Sequence, residues 1–363
     1  MKAWLSYDFN DMRLEDIPVP HAEPGWVIVK VKMLELSVTE VAEFRGLPVP
    51  SHENIKQMFQ QKKGLQLWGH EFSGEVVELG AGVTNVKLGD RVFYHRGVPC
   101  GTCKYCKAGM LHLCRSCINV GEDTPGCLAE YFPIPASTIV AIPPAISDIE
   151  ACALQPLVSI LGSIQAAGIE MGDTVVVIGQ GPMGLDCMQV ARAAGAGTVI
   201  AIAKREPVLE LSKKLGADIT LNATKCDVVA EVMKITGGLG CDVVFECAGG
   251  SKDQGHAGMD TFIQGLDMLR HEGRIVEIGW LPAGSGIPIP QIDKKGLRVI
   301  GRRYPSPRMI KYAIDLVASK RVQIEPTVTH ILKGIEKIPE AFEISGNKAK
   351  YGAVNPAQVV ISA

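Results

Sequence analysis

The 363-residue sequence predicts an α/β protein with a mostly β domain and a doubly wound domain that contains a parallel sheet. Two observations carry this prediction. Short β-rich runs separated by Gly, Pro and Asp turns fill the chain as far as about residue 150. From about residue 156, apolar runs of strand length alternate with longer helix-like segments, which is typical of βαβ units.

The individual elements follow from these two patterns. In the β-rich part, two runs of apolar and β-branched residues predict strands over residues 26–31 and 74–79. In the later part, four apolar runs bounded by turn residues predict strands at residues 174–178, 198–202, 242–247 and 274–278. The stretches after the first two of these strands predict helices at residues 183–194 and 208–215.

After Gly296 the βαβ alternation stops, and within the rest of the chain residues 307–318 predict one clear helix. We therefore expect residues 1–155 to form the first domain and residues 156–296 to form the second. Residues 297–363 are expected to return to the first domain and complete it.

Composition excludes several classes of partner. The 37 basic and 39 acidic side chains nearly cancel and form no block of like charge, so we expect neither nucleic acid nor a membrane surface as a partner. Asp8 precedes any apolar run that could serve as a secretory core, and no stretch approaches the ~20 apolar residues that span a bilayer. Eleven cysteines, an odd number, fit a reducing compartment better than a disulfide framework, so we expect a cytoplasmic protein.

Four cysteines predict a structural zinc site. They lie within a stretch of fifteen residues, at Cys100, Cys103, Cys106 and Cys114. A loop this short does not easily hold two relaxed disulfides, whereas one Zn²⁺ gathers four thiolates at about 2.3 Å each. Because four protein ligands leave no position for water or substrate, this zinc is expected to hold a lobe in shape and to do no chemistry. The alternative is a pair of disulfides or a set of unrelated buried thiols.

A glycine-rich turn predicts a dinucleotide-binding site. The predicted strand 174–178 runs directly into a GxGxxG pattern that precedes a helix-like segment, Gly179-Gln180-Gly181-Pro182-Met183-Gly184. The first glycine permits the tight turn, the second lets a pyrophosphate approach the backbone, and the third lets the helix pack on the sheet. The cofactor-binding candidates are therefore the three glycines with Pro182 and Met183, and also Gly279 after the strand 274–278.

The end of the next predicted strand favours NADP(H). An NAD site carries a carboxylate about 20 residues after the glycines, where it accepts a hydrogen bond from the ribose 2′-hydroxyl. At that place this chain has Ala203, which offers no acceptor, followed by Lys204 and Arg205, which favour a 2′-phosphate. Two alternatives stay open: the two cations are only solvated loop charges, or Glu206 reaches back to the ribose.

Together these motifs make the chain resemble the zinc-type medium-chain dehydrogenase/reductase family of alcohol and polyol dehydrogenases. The resemblance runs nearly end to end and includes four further segments, at residues 69–76 (GHEFSGEV), 88–92 (LGDRV), 126–131 (GCLAEY) and 215–218 (LGAD). It implies a GroES-like catalytic domain, a Rossmann domain inserted into it, and a substrate cleft between the two. It also implies a homodimer or homotetramer that forms through the edge of the Rossmann sheet.

In this family a second zinc usually sits in the cleft, held by a cysteine, by the histidine of the Gly-His-Glu segment, and by a later acidic residue or cysteine. The resemblance places His70 and Glu71 in that segment, but Ser37 replaces the cysteine and Gln155 replaces the usual glutamate. Zinc prefers thiolate, imidazole and carboxylate to a neutral hydroxyl or amide, so we expect the cleft zinc to be absent or weakly held. The alternative is a weak but occupied site in which Glu71 ligates directly and Gln155 lends its amide oxygen.

Without a Lewis acid, hydride transfer needs hydrogen-bond donors that stabilise charge on the substrate oxygen, and the candidates are His70, Ser37 and Thr39. His70 is the candidate general acid and base. The resemblance implies that Thr39 is a hydroxyl that passes protons toward the cofactor ribose. The first functional hypothesis is therefore an NADP(H)-dependent alcohol dehydrogenase or carbonyl reductase that acts on a small molecule.

Two other functions stay open. One is a zinc-independent reductase of an activated C=C bond, in which conjugation spreads the developing charge and reduces the need for a Lewis acid. The other is a non-catalytic NADP-binding protein that has kept its cofactor site. Arg302 and Arg303 are weaker candidates for binding an anionic group, because exposed arginines are common on protein surfaces.

Overall fold

The computed structural model describes residues 1–95, 97–250, 257–281, 284–301 and 305–362. Arg302 and Arg303 therefore lie outside the described residues. The chain divides into two compact units. The first contains Met1–Gln155 and Ile324–Ala363, and the second contains Pro156–Gln323.

The first unit is mostly β, as the sequence predicts. Its strands, numbered along the chain, are Lys2–Asp8 (β1), Asp11–Asp16 (β2), Trp26–Glu35 (β3), Glu71–Leu79 (β4), Arg91–Tyr94 (β5), Tyr131–Pro135 (β6), Ile139–Ala141 (β7), Ile331–Lys333 (β14) and Gln358–Val360 (β15). The strands β1 and β2 form a separate hairpin, and the larger sheet has the order β14-β15-β3-β4-β5-β7 with β6 paired to β3. In β3, Val27, Val29 and Val31 are fully buried in the core, where each contributes roughly 1.5–3 kcal/mol.

The helices of the first unit are short. They are Val38–Phe44 (α1), His52–Gln61 (α2), Lys104–Lys107 (α3), Asp148–Cys152 (α4), Ile338–Gly346 (α12) and Lys348–Tyr351 (α13). The helix α1 begins with a capping box, because the Ser37 hydroxyl accepts from the backbone N–H of Glu40 while the Glu40 carboxylate accepts from the backbone N–H of Ser37. Such a cap stabilises a helix by about 1 kcal/mol, so it fixes where α1 starts.

The second unit is a doubly wound parallel sheet, which confirms the predicted fold class. Its strands are Thr174–Ile178 (β8), Thr198–Ala203 (β9), Ile219–Asn222 (β10), Cys241–Glu246 (β11), Leu269–Glu277 (β12) and Arg298–Ile300 (β13), in the order β10-β9-β8-β11-β12-β13. The side chains of Val175, Val176 and Val177 are all inaccessible to solvent, as expected for a strand that is covered on both faces.

Helices alternate with these strands along the chain. They are Leu154–Ala167 (α5), which crosses the boundary between the units, Pro182–Ala193 (α6), Glu206–Lys214 (α7), Val228–Ile235 (α8), Met259–Met268 (α9), Ile289–Lys295 (α10) and Pro307–Ala318 (α11). The six strands and three helices that the sequence predicts are all present. Within the described ranges, no helix has the length and apolar character needed to cross a bilayer.

The second boundary between the units differs from the expectation. The sequence places the return to the first domain at residue 297, whereas in the structure the first unit resumes at Ile324. The reason is that β13 pairs in parallel with β12, with Ile275 opposite Val299, so the sheet continues beyond Gly296. The helix α11 also belongs to the second unit.

Candidate functional site

The four cysteines lie together, with all four Sγ atoms within 4.8 Å of one another. The Sγ atoms of Cys103 and Cys106 are 3.5 Å apart, and those of Cys100 and Cys106 are 3.9 Å apart. A tetrahedral site with Zn–S bonds of 2.3 Å places its sulfurs about 3.8 Å apart, so these positions fit one zinc ion. Among the described residues, this is the one group of three or more His, Cys, Asp or Glu side chains whose ligand atoms come this close.

Backbone hydrogen bonds favour negative charge on three of these four sulfurs, those of Cys100, Cys103 and Cys114. The N–H groups of Cys103 and Cys106 donate to the sulfurs of Cys100 and Cys103, each at 3.4 Å, and the N–H of Cys100 donates to Cys114 Sγ at 3.3 Å. The hydroxyl of Thr102 and the neighbouring backbone N–H groups lower the pKa of Cys100 to about 6. Donors of this kind favour the thiolate, which is the form that binds a metal.

In the first unit, Glu40 connects the start of α1 to His70. One carboxylate oxygen of Glu40 accepts from the backbone N–H of Ser37, as described above. The other, Oε1, accepts from the backbone N–H groups of Gly69 at 2.8 Å and His70 at 2.9 Å, and it lies 2.9 Å from His70 Nδ1. Glu40 is therefore a buried carboxylate that fixes the imidazole ring and leaves its Nε2 atom for other partners.

The surroundings of His70 favour the protonated imidazolium. Burial disfavours the charge, but the negative charge and hydrogen bond of Glu40 outweigh it, with smaller contributions from Glu71 and Glu43, and the pKa of His70 rises to about 10. Its side chain stays 18% exposed, and the ring of Tyr94 lies edge-on at 5.7 Å. At neutral pH, Nε2–H is thus a hydrogen-bond donor on a side chain that is partly open to solvent.

The backbone before His70 is tightly constrained. Gly69 has a φ of +85°, and a Cβ atom at this position would lie 2.7 Å from the Cys127 sulfur, so the site requires glycine. Trp68 also has a positive φ, +66°, although it is a bulky and fully buried residue. Such a conformation costs about 1–3 kcal/mol and persists where the surrounding packing determines it.

Three buried polar side chains form a row across neighbouring strands of the sheet, and the row ends at Glu71, the residue after His70. Gln358, Glu35 and Glu71 sit opposite one another on the neighbouring strands β15, β3 and β4, in that order, and the amide of Gln358 donates to Glu35 at 2.8 Å. Burial, followed by the charge of Glu35, raises the pKa of Glu71 well above its usual range. Nε2 of His70 lies 3.9 Å from Glu71 Oε1, which is too far for a hydrogen bond.

The other predicted catalytic residues, Ser37, Thr39 and Gln155, have less direct links to His70. Thr39 lies in the first turn of α1 and is exposed, while Ser37 is buried at the helix cap. Gln155 is half-buried in the first turn of α5. Within the described chain, no hydrogen bond joins either Thr39 or Gln155 to His70.

In the second unit, the glycine-rich turn has the geometry of a pyrophosphate site. Gly179 has a φ of +90°, and a Cβ on Gly184 would lie 1.8 Å from the Gly179 carbonyl oxygen, so the turn and the start of α6 pack against each other. A Cβ on Gly181, in contrast, would meet no atom within 4 Å, which leaves open space beside the backbone. Gly181 caps α6, Pro182 and Met183 form its first turn, and the helix N-terminus attracts negative charge.

The turn lies where the strand order reverses. The strand β8 pairs with β9 on one side and with β11 on the other, so their carboxyl ends meet at one edge of the sheet. This is the position where doubly wound sheets bind their ligands. Gly279 lies at the same edge after β12, and its N–H donates to the carbonyl of Glu246 at 2.8 Å. A Cβ on Gly279 would collide with Gly249 N at 2.7 Å.

The residues that are predicted to select the cofactor follow one another at the end of β9. The strand ends at Ala203, Lys204 is exposed, and Arg205 is half-buried at the cap of α7. Glu206 begins α7, but its carboxylate is already engaged: Oε1 accepts from Asn222 Nδ2 at 2.5 Å and from Lys225 Nζ at 2.6 Å.

Two kinds of residue were missed by reasoning from the sequence. Glu40 had a usable signal, because Ser37-Val38-Thr39-Glu40 is a capping-box pattern placed just before a site segment. Glu35 and Gln358 had none, because 323 residues separate them and only the pairing of β3 with β15 brings them together.

Comparison with known proteins agrees with this geometry. The profile of the alcohol dehydrogenase GroES-like domain matches residues 23–144. The profile of the zinc-binding dehydrogenases matches residues 182–319. One match lies in each unit of the structure, and together they cover most of the chain.

Individual relatives match over nearly the whole length. The L-threonine 3-dehydrogenase of Pyrococcus horikoshii is 34% identical, with 91% of each chain covered. The erythritol/L-threitol dehydrogenase of Mycolicibacterium smegmatis is 32% identical, with 91% of this chain and 90% of the relative covered. Among solved structures, a zinc-binding dehydrogenase described from Sinorhizobium meliloti 1021 and bound to NADP has a TM-score of 0.85 and 28% identity, with 99% of this chain and 98% of that chain covered.

Proposed function

The chain belongs to the zinc-type medium-chain dehydrogenase/reductase family and is an oxidoreductase, and we propose that it transfers a hydride between NADP(H) and a small alcohol or carbonyl compound. The observation that carries the proposal is His70, whose Nδ1 is held by Glu40 while Nε2 is left for the substrate oxygen. NADP(H), when bound, supplies or accepts the hydride.

The choice of NADP(H) rests on the end of β9. Ala203 offers no acceptor for a ribose hydroxyl, while Lys204 and Arg205 supply positive charge for a 2′-phosphate. Glu206, the alternative acceptor for a ribose hydroxyl, already binds Asn222 and Lys225. The Sinorhizobium relative, which matches across both units, binds NADP.

We further propose one structural zinc and no firmly held zinc beside His70. The cysteine quartet fits a tetrahedral ion through its sulfur positions. Beside His70 the good donors are its own Nε2 and the Glu71 carboxylate, whereas the Ser37 hydroxyl is neutral and already accepts from the N–H of Glu40. Two good donors are fewer than the three protein ligands that a catalytic zinc needs.

In carbonyl reduction, His70 then stabilises the negative charge that develops on the carbonyl oxygen. Its Nε2–H donates a hydrogen bond to the carbonyl oxygen and transfers the proton as negative charge develops there. Glu40 keeps the ring oriented and stabilises the imidazolium before the transfer. Replacing His70 with alanine should lower kcat about 100-fold or more with little change in the KM for NADPH. Unchanged turnover in this variant would contradict the assignment.

A second candidate function is reduction of a C=C bond conjugated to a carbonyl. It is favoured by the incomplete zinc donor set, because conjugation spreads the developing charge and a hydrogen bond from His70 then suffices. NADPH oxidation with matched pairs of saturated ketones and enones separates the two functions. Turnover of the ketones supports carbonyl reduction, and turnover restricted to the enones supports the second candidate.

We also propose a homodimer or homotetramer formed through the edge of the parallel sheet. The last strand in the sheet order is β13, whose Val299 is 40% exposed, and Ile287 and Ile289 nearby in the chain are exposed as well. An exposed apolar side chain on an unpaired edge strand favours pairing with a second copy. Light scattering of the purified protein tests this proposal, and a monomer at micromolar concentration would contradict it.

A further inference from the structure

Glu206 occupies a place where an acidic residue could oppose the proposed cofactor preference. It is the first carboxylate after β9, the strand whose end faces the adenine-side ribose in dinucleotide-binding sheets. A free carboxylate there accepts a hydrogen bond from the 2′-hydroxyl of NADH and repels the 2′-phosphate of NADPH. The position of Glu206 therefore raises the question of what keeps it from doing so.

Two residues at the end of the neighbouring strand engage Glu206. Asn222, the last residue of β10, lies opposite Ala203 in the parallel pairing, and its Nδ2 donates to Glu206 Oε1 at 2.5 Å. Lys225, three residues later, lies 2.6 Å from the same oxygen. Both contacts draw the carboxylate toward β10.

The Asn222 amide is itself fixed. Its Oδ1 accepts from the backbone N–H of Thr224 at 2.9 Å and from the Thr224 hydroxyl at 2.7 Å, which orients Nδ2 toward Glu206. Asn222 is buried, whereas the side chains of Lys225 and Glu206 are 67% and 47% exposed. An exposed ion pair alone holds its partners weakly, so the buried amide is what gives this contact a defined geometry.

We propose that Asn222 and Lys225 are specificity-determining residues for the cofactor, which favour NADPH over NADH by holding Glu206 away from the ribose 2′-position. This inference rests on the proposed preference for NADP(H). With Glu206 engaged, a 2′-phosphate meets the positive charges of Lys204 and Arg205 without a competing carboxylate. Specificity arises here from removing an unfavourable group as well as from the cations.

The test compares kcat/KM for NADPH and for NADH in the full-length enzyme. We expect Lys225→Met and Asn222→Ala each to lower the NADPH preference, by up to roughly fivefold, because Glu206 then loses one of its two partners and turns more often toward the ribose, where it repels the phosphate and accepts from the hydroxyl. Adding Glu206→Gln to either variant should restore the preference of the wild type. As a matched control, Lys234→Met breaks an exposed ion pair with Glu231 in the same unit and should leave the preference unchanged.

Three outcomes would overturn the inference. The first is an unchanged preference in both single variants. The second is a lowered preference in Lys225→Met that Glu206→Gln does not restore, since Lys225 would then contact the phosphate directly. The third is a wild-type enzyme that prefers NADH, and because this is read without any variant, it identifies a failure of the proposed function itself. Lys225 is mostly exposed, so its replacement tests the idea even if Asn222→Ala is poorly folded.

Discussion

His70 depends on one carboxylate for its orientation and its charge. Glu40 contacts both the backbone and the ring of His70, and it also closes the capping box of α1. A single side chain thus sets where the helix starts, which ring nitrogen is free, and how firmly the ring holds its proton. Ser37 contributes through the same cap, so its hydroxyl is better placed to support Glu40 than to contact a substrate.

Replacing Glu40 with glutamine should shift the pH dependence of carbonyl reduction to lower pH. In the proposed mechanism the reaction needs protonated His70, so kcat/KM should be constant at neutral pH and fall as pH rises through the pKa of His70, about 10. Without the charge of Glu40, burial lowers this pKa, and the fall should begin at a lower pH. The measurement is kcat/KM for ketone reduction by both enzymes from about pH 6 to about pH 11.

A matched control separates this effect from the loss of a helix cap. Glu150 closes an equivalent capping box with Ser147 at the start of α4, a different helix from the one that Glu40 caps. Glu150→Gln should therefore keep the pH profile of the wild type while losing a similar amount of stability. Identical alkaline limbs in wild type and Glu40→Gln would contradict the role assigned to Glu40.

The segment that carries the four cysteines has little structure of its own. We call residues 97–118 the cysteine lobe; its ends are joined by hydrogen bonds between Val98 and Ile118. Between them lie only α3, with four residues, and a 3-10 turn of three residues, Leu111–Leu113. Helices this short do not form in isolation, so we expect the proposed zinc to hold the lobe in shape.

Replacing Cys103 with serine should release the zinc and open the cysteine lobe. Three thiolates hold zinc less firmly than four, and the hydrogen bond that Cys106 N–H donates to Cys103 Sγ is weakened as well. We expect the bound zinc to fall well below one per chain and trypsin to cleave after Lys104 or Lys107. Cys117→Ser is the control, because Cys117 is an exposed thiol outside the quartet. Full zinc content in Cys103→Ser would contradict the predicted site.

The sequence predicts the elements that have a strong apolar pattern and misses those that do not. The strand β8 is recognisable because its central valines form a continuous apolar run. The strand β13 is not, because it has three residues and two of them, Arg298 and Val299, are exposed. This short strand, together with the helix α11 that stays in the second unit, is the reason that the predicted domain boundary near Gly296 differs from the structure.

The candidate site shows the same division between local and long-range information. The cysteine quartet and the glycine-rich turn are local patterns, so their spacing alone predicts their chemistry. Whether Glu206 accepts a hydrogen bond from the ribose depends instead on Asn222, which lies sixteen residues later at the end of β10. The pairing of β9 with β10 brings that partner close, and the sequence alone does not predict this pairing.

At the scale of the whole chain, the cysteine quartet and the surroundings of His70 differ in the charge that they offer a metal. The quartet offers four thiolates, whereas the structure places one carboxylate, that of Glu71, near the His70 imidazole, and the family resemblance adds only the neutral Ser37 hydroxyl and Gln155 amide. We therefore predict about one zinc per chain in the purified wild-type protein, measured by elemental analysis after removal of loosely bound metal. About two zinc ions per chain would contradict the assignment and favour metal-assisted alcohol oxidation.

Restoring the missing donors should reverse this result. By the family resemblance, the double variant Ser37→Cys with Gln155→Glu restores a thiolate and a carboxylate at the two replaced ligand positions, and we expect its zinc content to rise to about two per chain. The first change also weakens the cap of α1, which costs about 1 kcal/mol. Ser147→Cys at the cap of α4 controls for that loss and should leave the zinc content at the wild-type value. A double variant that still holds about one zinc would show that the geometry around His70, and not the identity of its neighbours, prevents binding.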